Sequence, residues 1–252
     1  MSTLRRLFSN RPLTGAGAVI RLDLRESHHG RHVLRLRSGD AVAVFDGAGN
    51  QFTATVERCE KKHLVVAVGE PLAAAPETKI PLVLYLALVK GETFDNVLQR
   101  AVELGVAEIV PFVAERTVPT IGRGVALERK IERWRQILLS ATKQCGRARL
   151  TAITAPCSFA DAIERPGAGA IRLCCAPDSS APYLSETLRN LNISSAHSVA
   201  VMIGPEGGLT VAEIASARQS GWQLVSLGPR ILRVETAATA ALALVLAALG
   251  EI

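Results

Sequence analysis

The sequence predicts an α/β protein with a small β-barrel-like module over residues 1–72 and a larger α/β domain over residues 73–252. Three observations support this prediction. Residues 1–70 contain closely spaced apolar runs with turn residues between them, Glu70–Pro81 is rich in proline and alanine, and from Ile80 onward apolar runs alternate with helical patterns. Strands that alternate with helices along a chain predict a mainly parallel sheet.

The first module is predicted to contain two hairpins. Its runs AVAVF, QFTATVERC and LVVAVG alternate in polarity, and they are separated by DGAGN at Asp46–Asn50 and EKKH at Glu60–His63. Asp-Gly and Gly-Asn pairs favour tight turns between antiparallel strands. Before these strands, ESHHGRHVLRLRSGD predicts a short helix that ends near Gly39.

The second domain alternates strands and helices. IPLVLYLALV is a continuous apolar run, which is typical of a buried parallel strand. ETFDNVLQRAVELG and ALERKIERWRQILLSATKQCG have apolar residues at helical spacing, and AEIVPFV between them predicts a strand. Further strands are predicted near Leu150–Thr154, Ala170–Cys175, Ser198–Ile203 and Gln223–Leu227. The last apolar segment, Thr236–Gly250, is shorter than the ~20 residues of a membrane span, so we expect a buried helix with one face available to a subunit interface.

Basic residues are concentrated in two regions of the chain. The formal net charge is +6, while residues 116–149 alone hold nine Arg or Lys and two Glu, and residues 1–75 hold eleven basic and seven acidic residues. Both regions are candidates for contact with phosphates. Charge alone is equally compatible with solvated helix faces.

Cysteine and histidine usage argues against a metal centre. The five cysteines form no C-x-x-C pair, and His28, His29 and His32 have no cysteine or carboxylate partners at ligand spacing. The N-terminus MSTLRRLFSN has no apolar run of the kind found in secretory signals. We therefore expect a metal-free, cytoplasmic protein with reduced thiols and no membrane contact.

A glycine-rich loop, IGPEGG at Ile203–Gly208, follows a predicted buried strand and precedes a helix. Thr210 and Glu213 have the spacing of a capping box, and Gly221 closes the helix. Ligands of open α/β sheets bind outside the carboxyl ends of strands, and glycines allow a ligand to approach the backbone closely. The alternative is a tight turn that needs glycine only for its dihedral angles.

A second loop repeats this arrangement. In LGPRILRVETA, which begins at Leu227, a Gly-Pro turn is followed by Arg230, Arg233 and Glu235 ahead of the apolar helix. Charges set between apolar residues must be paired or solvated. They could form an ion pair that locks the loop, or an arginine could face an anionic substrate. Two similar loops at two strand ends favour one joint pocket.

These two loops together closely resemble the ribosomal RNA small subunit methyltransferase E family, within the SPOUT class of knotted methyltransferases. Further segments are similar to the same family and extend the resemblance over nearly the whole chain. They are RRLF at Arg5–Phe8, HHGRHVLRLRSGD at His28–Asp40, LVKGETFDNVLQRAVELGV at Leu88–Val106, RW at Arg133–Trp134 and KQCGR at Lys143–Arg147.

The resemblance implies a SPOUT-type parallel sheet with a C-terminal trefoil knot, preceded by a PUA-like RNA-binding β-barrel. It implies a homodimer that binds S-adenosyl-L-methionine and forms N3-methyluridine in 16S ribosomal RNA, within the small ribosomal subunit. The implied cofactor contacts lie in the two glycine-bearing loops and at the start of the last helix: Ile203, Gly204, Pro205, Glu206, Gly207, Leu227, Gly228, Ile231, Leu232 and Thr236.

Methylation of uridine N3 requires removal of a weakly acidic proton, and a nearby cation stabilises the developing anion. We hypothesise that Arg233 or Arg100 has this role, while Glu206 and Glu235 organise the loops. RNA contacts are expected from nine basic residues of the two basic regions: Arg5, Arg6, Arg11, Arg31, Arg35, Arg116, Arg123, Lys143 and Arg147.

Two alternatives remain beside the uridine N3-methyltransferase. One is a related knotted enzyme that acts on another RNA or on a ribose 2′-oxygen, and the other is a non-catalytic RNA-binding or ribosome assembly factor. The RILRVETA segment favours N3 methylation over the related enzyme. A dinucleotide oxidoreductase is disfavoured because no G-x-G-x-x-G follows a strand.

Overall fold

The computed structural model describes residues 4–119, 122–177 and 180–252. These residues form two compact units. The first contains the chain up to Glu77 together with Thr142–Leu150, and the second contains Thr78–Ala141 and Thr151–Ile252. The short segment Thr142–Leu150 thus packs with the N-terminal residues, although it is distant from them in sequence.

The first unit is built on a five-stranded sheet. The strands are β1 (Arg5–Phe8), β2 (Val19–Arg21), β3 (Ala41–Phe45), β4 (Gln51–Cys59) and β5 (Leu64–Pro71). Their order is β1-β3-β4-β5-β2, with β1 parallel to β3 and the other pairs antiparallel. The two predicted hairpins, β3–β4 and β4–β5, are confirmed.

The turn between β3 and β4 is held by Asp46. Its carboxylate accepts hydrogen bonds from the backbone N–H of Leu13, Ala48 and Asn50 and from the Asn50 side chain. Burial on its own raises the pKa of Asp46, but these hydrogen bonds outweigh it and hold the pKa below its usual value.

The predicted helix of the first unit is shorter than its sequence pattern suggests. Helix α1 (Leu24–His28) is capped by the Asp23 side chain and continues as a π-helical turn over His29–Val33. It ends before Gly39, and Arg35 adopts the left-handed region just beyond it, with φ 54°. The apolar interior of this unit is formed by strand residues that are fully buried: Leu7, Val44, Val56, Leu64 and Val66.

The second unit contains seven strands and most of the helices. The strands are β6 (Leu82–Ala87), β7 (Glu108–Val113), β8 (Ala152–Ile153), β9 (Cys157–Ser158), β10 (Ala170–Cys175), β11 (Ser198–Ile203) and β12 (Gln223–Val225). The helices are α2 (Gly91–Glu103), α3 (Val125–Cys145), α4 (Phe159–Glu164), α5 (Leu184–Asn190), α6 (Val211–Gln219) and α7 (Val234–Leu249), with a 3-10 turn at Ile193–Ser195. The C-terminal end of α3, from Thr142 onward, belongs to the first unit.

The sheet of the second unit is parallel throughout, in the order β12-β10-β11-β6-β7-β8, with β9 also paired to β7. The predicted α/β fold with a parallel sheet is therefore confirmed. The central strands read as continuous apolar runs because helices cover both faces. Leu82, Leu84, Val199 and Val201 are fully buried, and α7 packs against α2, α5 and β11.

Candidate active site

The carboxyl ends of the central parallel strands lie at one edge of the second unit's sheet, and two loops leave this edge. The loop after β11 makes a turn in which the Gly208 N–H donates to the Pro205 carbonyl at 2.8 Å. Gly208 has φ 69°, a conformation that glycine adopts without strain. At Gly204 the reason for glycine is close packing and not the backbone conformation, because a Cβ atom there would lie 3.2 Å from Leu209 Cγ.

The loop after β12 leads into α7. Gly228 has φ 119°, which L residues rarely adopt, and its N–H donates to Ser226 Oγ at 3.3 Å. Arg233 is the N-cap residue of α7, and its carbonyl accepts the Ala237 N–H at 2.8 Å. The glycine turn and the helix start position the RILRVE segment between them.

Both loops line one cavity of about 400 Å³. Its walls are the loop after β11, the start of α7 with the residues before it, the end of β10 and the first turn of α2. The lining residues are Thr93, Cys175, Ala176, Pro177, Ile203, Gly204, Pro205, Glu206, Gly208, Leu209, Ile231, Leu232, Arg233, Val234, Glu235 and Ala237. A recess of about 70 Å³ continues along Ser226, Leu227 and Gly228. The joint pocket predicted from the two loops is present.

The carboxylate of Glu206 turns toward the loop after β6. Its Oε1 accepts a hydrogen bond from the backbone N–H of Lys90, the N-cap residue of α2, at 3.4 Å. Glu206 thereby links the loop after β11 to the start of the neighbouring helix. The loop-organising role of Glu206 stays a prediction.

The turn after β7 is attached to the same loop. The Arg116 guanidinium donates from Nη1 to the Gly207 carbonyl at 2.9 Å, and the Glu115 N–H donates to Glu213 Oε1 at 2.8 Å. Glu213 also closes the predicted capping box with Thr210. The loops after three strands, β6, β7 and β11, are therefore joined to one another beside the cavity.

The comparison with known proteins identifies the family. An RNA methyltransferase domain model matches residues 76–246, and an RNA methyltransferase PUA domain model matches residues 22–68. A ribosomal RNA small subunit methyltransferase E from Synechocystis is 34% identical over 90% of this chain and 72% of its own length. The chain belongs to the ribosomal RNA small subunit methyltransferase E family.

Solved structures agree with this assignment. A methyltransferase from Legionella pneumophila, in complex with the bound cofactor SAM, is 31% identical with a TM-score of 0.89, and the match covers 98% of each chain. A ribosomal RNA small subunit methyltransferase E from Neisseria gonorrhoeae, bound to S-adenosyl methionine, is 28% identical with a TM-score of 0.87, and the match covers 97% of each chain.

In this methyltransferase, eight of the ten predicted cofactor residues line the cavity or its recess. Gly207 and Thr236 lie in the same segments but are not among the lining residues. Thr93, Leu209 and the stretch Cys175–Pro177 also line the cavity and were not among the ten predicted cofactor contacts. The last could have been inferred, because β10 is parallel to β11 and ends at the same sheet edge. Asp178 and Ser179, which follow, lie outside the described residues.

The two candidate catalytic arginines differ in position. Arg233 lines the cavity and is exposed, and no carboxylate of the described residues lies within 4.0 Å of it. The Glu–Arg pair considered as a lock for this loop is therefore absent from the described part of the chain. Arg100 is exposed on α2, seven residues beyond Thr93, which corresponds to roughly 10 Å along the helix axis. It does not line the cavity.

Three of the nine basic residues expected to contact RNA are engaged inside the first unit. Arg147 is 3% exposed and pairs with Glu77, and Lys143 pairs with the buried Glu26. The Arg6 guanidinium donates to the Gln51 side chain and to the carbonyls of Thr142, Lys143 and Arg147. Burial lowers the pKa of Arg6. These groups act within the fold, which their sequence positions did not indicate.

The other predicted RNA contacts are accessible to differing degrees. Arg11, Arg35 and Arg123 are exposed, and the Arg5 side chain is 54% exposed with Asp40 at 3.9 Å. The partly exposed Arg31 donates to the Lys61 carbonyl, which brings it to the EKKH turn. Lys61 and Lys62 on this turn are exposed cations that were not among the nine predicted RNA contacts.

The described residues contain no group of three or more His, Cys, Asp or Glu side chains that could hold a metal ion. Within the same ranges, no helix has the combined length and hydrophobicity of a membrane crossing.

Proposed function

We propose that this family member transfers a methyl group from S-adenosyl-L-methionine to N3 of a uridine in 16S ribosomal RNA. One observation carries the proposal: the glycine-bearing loops after β11 and β12 together line the cavity and its recess at the strand ends. Similar solved structures, which contain this cofactor, support it. The target follows from the family and its named relatives.

The residues of the cavity suit this cofactor. A volume of about 400 Å³ lies in the range of small-molecule sites, and Gly208 and Gly228, around which there is open space, leave backbone groups accessible to a ligand. Ile203, Leu209 and Leu232 offer apolar surface for the adenine ring. The cofactor carries no phosphate, so a lysine of the P-loop type is not needed.

Arg233 supplies the cation at the reacting centre. S-adenosyl-L-methionine, when bound, provides a sulfonium methyl group. The uridine N3 proton leaves to solvent or a base, the N3 lone pair forms the new N–C bond, and the sulfur keeps the electron pair of the broken S–C bond. The Arg233 guanidinium lowers the free energy of the N3 anion that forms on the way. Arg100 is the alternative for this role.

RNA binding is assigned to solvent-accessible cations, each unit contributing its own. In the first unit these are Arg5, Arg11, Arg31 and Arg35, and in the second Arg116 and Arg123. Arg6, Lys143 and Arg147 stay out of the proposed contact surface because they are bound within the protein. The substrate is 16S rRNA in the small ribosomal subunit, which makes the protein cytoplasmic.

We also propose a trefoil knot and a homodimer. Support for the knot comes from the family and from the strand order. Strand β11 lies between β10 and β6, and the later strand β12 pairs with β10. After β12, the chain comes back to β11, against which α7 packs. Support for the dimer comes from α7, where the residues Ala243, Leu244, Ala247 and Ala248 are apolar and partly or fully exposed. Sedimentation is expected to give twice the chain mass of 26.8 kDa.

The test combines calorimetry with mass spectrometry of RNA. The purified protein should bind S-adenosyl-L-methionine and should introduce N3-methyluridine into unmodified 16S rRNA, supplied free or in small subunits. A 2′-O-methylated product would instead favour the related knotted enzyme. Cofactor binding without a methylated product on either substrate, or no cofactor binding at all, would contradict the proposal and favour an assembly factor.

A further inference from the structure

We infer that Arg116 is a positioning residue of the cofactor loop and that it couples RNA binding to cofactor binding. The inference rests on the proposed function and deepens it. From the sequence, Arg116 was predicted only to contact RNA. The structure joins it directly to Gly207 of the IGPEGG loop.

The aliphatic part of Arg116 packs on Gly207. A Cβ atom built on Gly207 would lie 3.2 Å from Arg116 Cβ and 3.5 Å from Arg116 Cδ. Gly207 does not have a positive φ, so its backbone conformation is open to other residues. Glycine is favoured at this position because Arg116 lies against it.

The turn that carries Arg116 is itself fixed at several points. The Thr117 N–H donates to the Ala114 carbonyl at 3.0 Å, and the Ala114 N–H donates to Thr117 Oγ1 at 2.9 Å. The Glu115 N–H donates to Glu213 on α6. Glu115 thus anchors the turn to α6, and the bonds between Ala114 and Thr117 close the turn around Arg116. Because the turn is fixed, the Arg116 side chain holds Gly207 at a defined distance from β7.

Arg116 also keeps donors for a second partner. A guanidinium has five N–H groups, and one of them is used on the Gly207 carbonyl. The residue is exposed, and no carboxylate of the described chain lies within ion-pair distance of it. An RNA phosphate can therefore bind the same guanidinium while the bond to Gly207 persists. The phosphate then orders the side chain that supports the cofactor loop.

Coupling of this kind must be reciprocal, so bound RNA should tighten cofactor binding by the same factor as bound cofactor tightens RNA binding. The dissociation constant of S-adenosylhomocysteine is measured by calorimetry with and without 16S rRNA, because this product permits no turnover. The wild type should bind it about five- to tenfold more tightly with RNA present. Arg116→Ala should bind more weakly without RNA and should lose the RNA effect.

A double-mutant cycle with Gly207→Ala isolates the contact. Gly207→Ala should weaken binding in the wild-type background, and its effect should shrink when Arg116 is glycine, because Arg116→Gly also removes the Cβ atom that lies 3.2 Å from the added methyl group. Arg129→Ala, which removes an exposed charge from the neighbouring basic helix α3, is the matched control and should keep both affinity and coupling. Thermal unfolding verifies that each variant is folded.

The outcomes separate the two hypotheses. If the wild type binds neither S-adenosyl-L-methionine nor S-adenosylhomocysteine, the proposed function fails. If the wild type binds but folded Arg116→Ala has the same affinity and the same response to RNA, the inference about Arg116 is wrong. Additive effects of the two substitutions would likewise overturn it.

Discussion

The guanidinium of Arg147 is buried against the carboxylate of Glu77. Nε donates to both carboxylate oxygens at 3.1 and 3.2 Å and Nη2 donates to Oε2 at 2.6 Å, while only 4% of the Arg147 side chain is exposed. This pair connects the end of the first unit's N-terminal segment to the stretch after α3. A buried cation of this kind depends on its partner.

Glu77→Gln should therefore destabilise the protein. Removing one member of a buried ion pair costs about 3–5 kcal/mol, and we expect the lower end because 30% of the Glu77 side chain is exposed. Chemical denaturation monitored by circular dichroism measures the change. Glu70→Gln, an exposed neighbour in the same unit, is the control and should change stability by less than about 0.5 kcal/mol.

Gly228→Ala should weaken cofactor binding. A methyl group on Gly228 would meet open space, but the φ of 119° at this position is one that alanine adopts only with strain. Such backbone strain costs about 1–3 kcal/mol. The dissociation constant for S-adenosyl-L-methionine should rise about fivefold or more. Gly167→Ala, which has open space and no positive φ, should bind normally. Equal affinities for the two variants would contradict a role for the turn in shaping the pocket.

Arg35→Gly should separate stability from RNA binding. The left-handed conformation costs about 1–2 kcal/mol for an L residue, while glycine's unfolded-state entropy costs about 0.5–1 kcal/mol. Stability should therefore stay constant or increase by up to about 1.5 kcal/mol. RNA affinity, measured by filter binding at one fixed salt concentration, should fall, and a salt titration should show a shallower dependence. Unchanged affinity would remove Arg35 from the RNA surface.

Asp46 should contribute a pH-dependent part of the stability. Because its pKa is lowered in the folded state, its contribution is complete above the unfolded value of about 3.9 and is lost as pH falls through the folded value. Asp46→Asn should be less stable at neutral pH, and its difference from the wild type should shrink below about pH 4. A difference that stays constant through this range would show that the carboxylate charge is not the source of the stabilisation.

Arg233→Ala should lower kcat by about 10²-fold or more with little change in the cofactor dissociation constant. Without the guanidinium the N3 anion is less stabilised, so the remaining activity should rise with pH more steeply than that of the wild type. Arg233→Lys should restore part of kcat because the charge is kept. Methyl transfer at the wild-type rate by folded Arg233→Ala would move the role to Arg100.

Local patterns in the sequence predicted much of this protein. The hairpin turn at Asp46–Asn50, the capping box of Thr210 and Glu213, and the buried strands Ala170–Cys175 and Ser198–Ile203 all follow from interactions between near neighbours in the chain. The two glycine-bearing loops were predicted to form a joint site for the same reason, because each has a Gly-Pro turn directly after a predicted strand.

Tertiary structure decided which charges are available. Arg147 and Arg116 lie in one basic region of the sequence, yet Arg147 is buried on Glu77 and Arg116 is exposed against Gly207. These partners are 70 and 91 residues away along the chain. Charge density along a sequence contains no information about such distant partners. Whether a cation is neutralised inside the fold or left for a ligand therefore depends on how the chain packs.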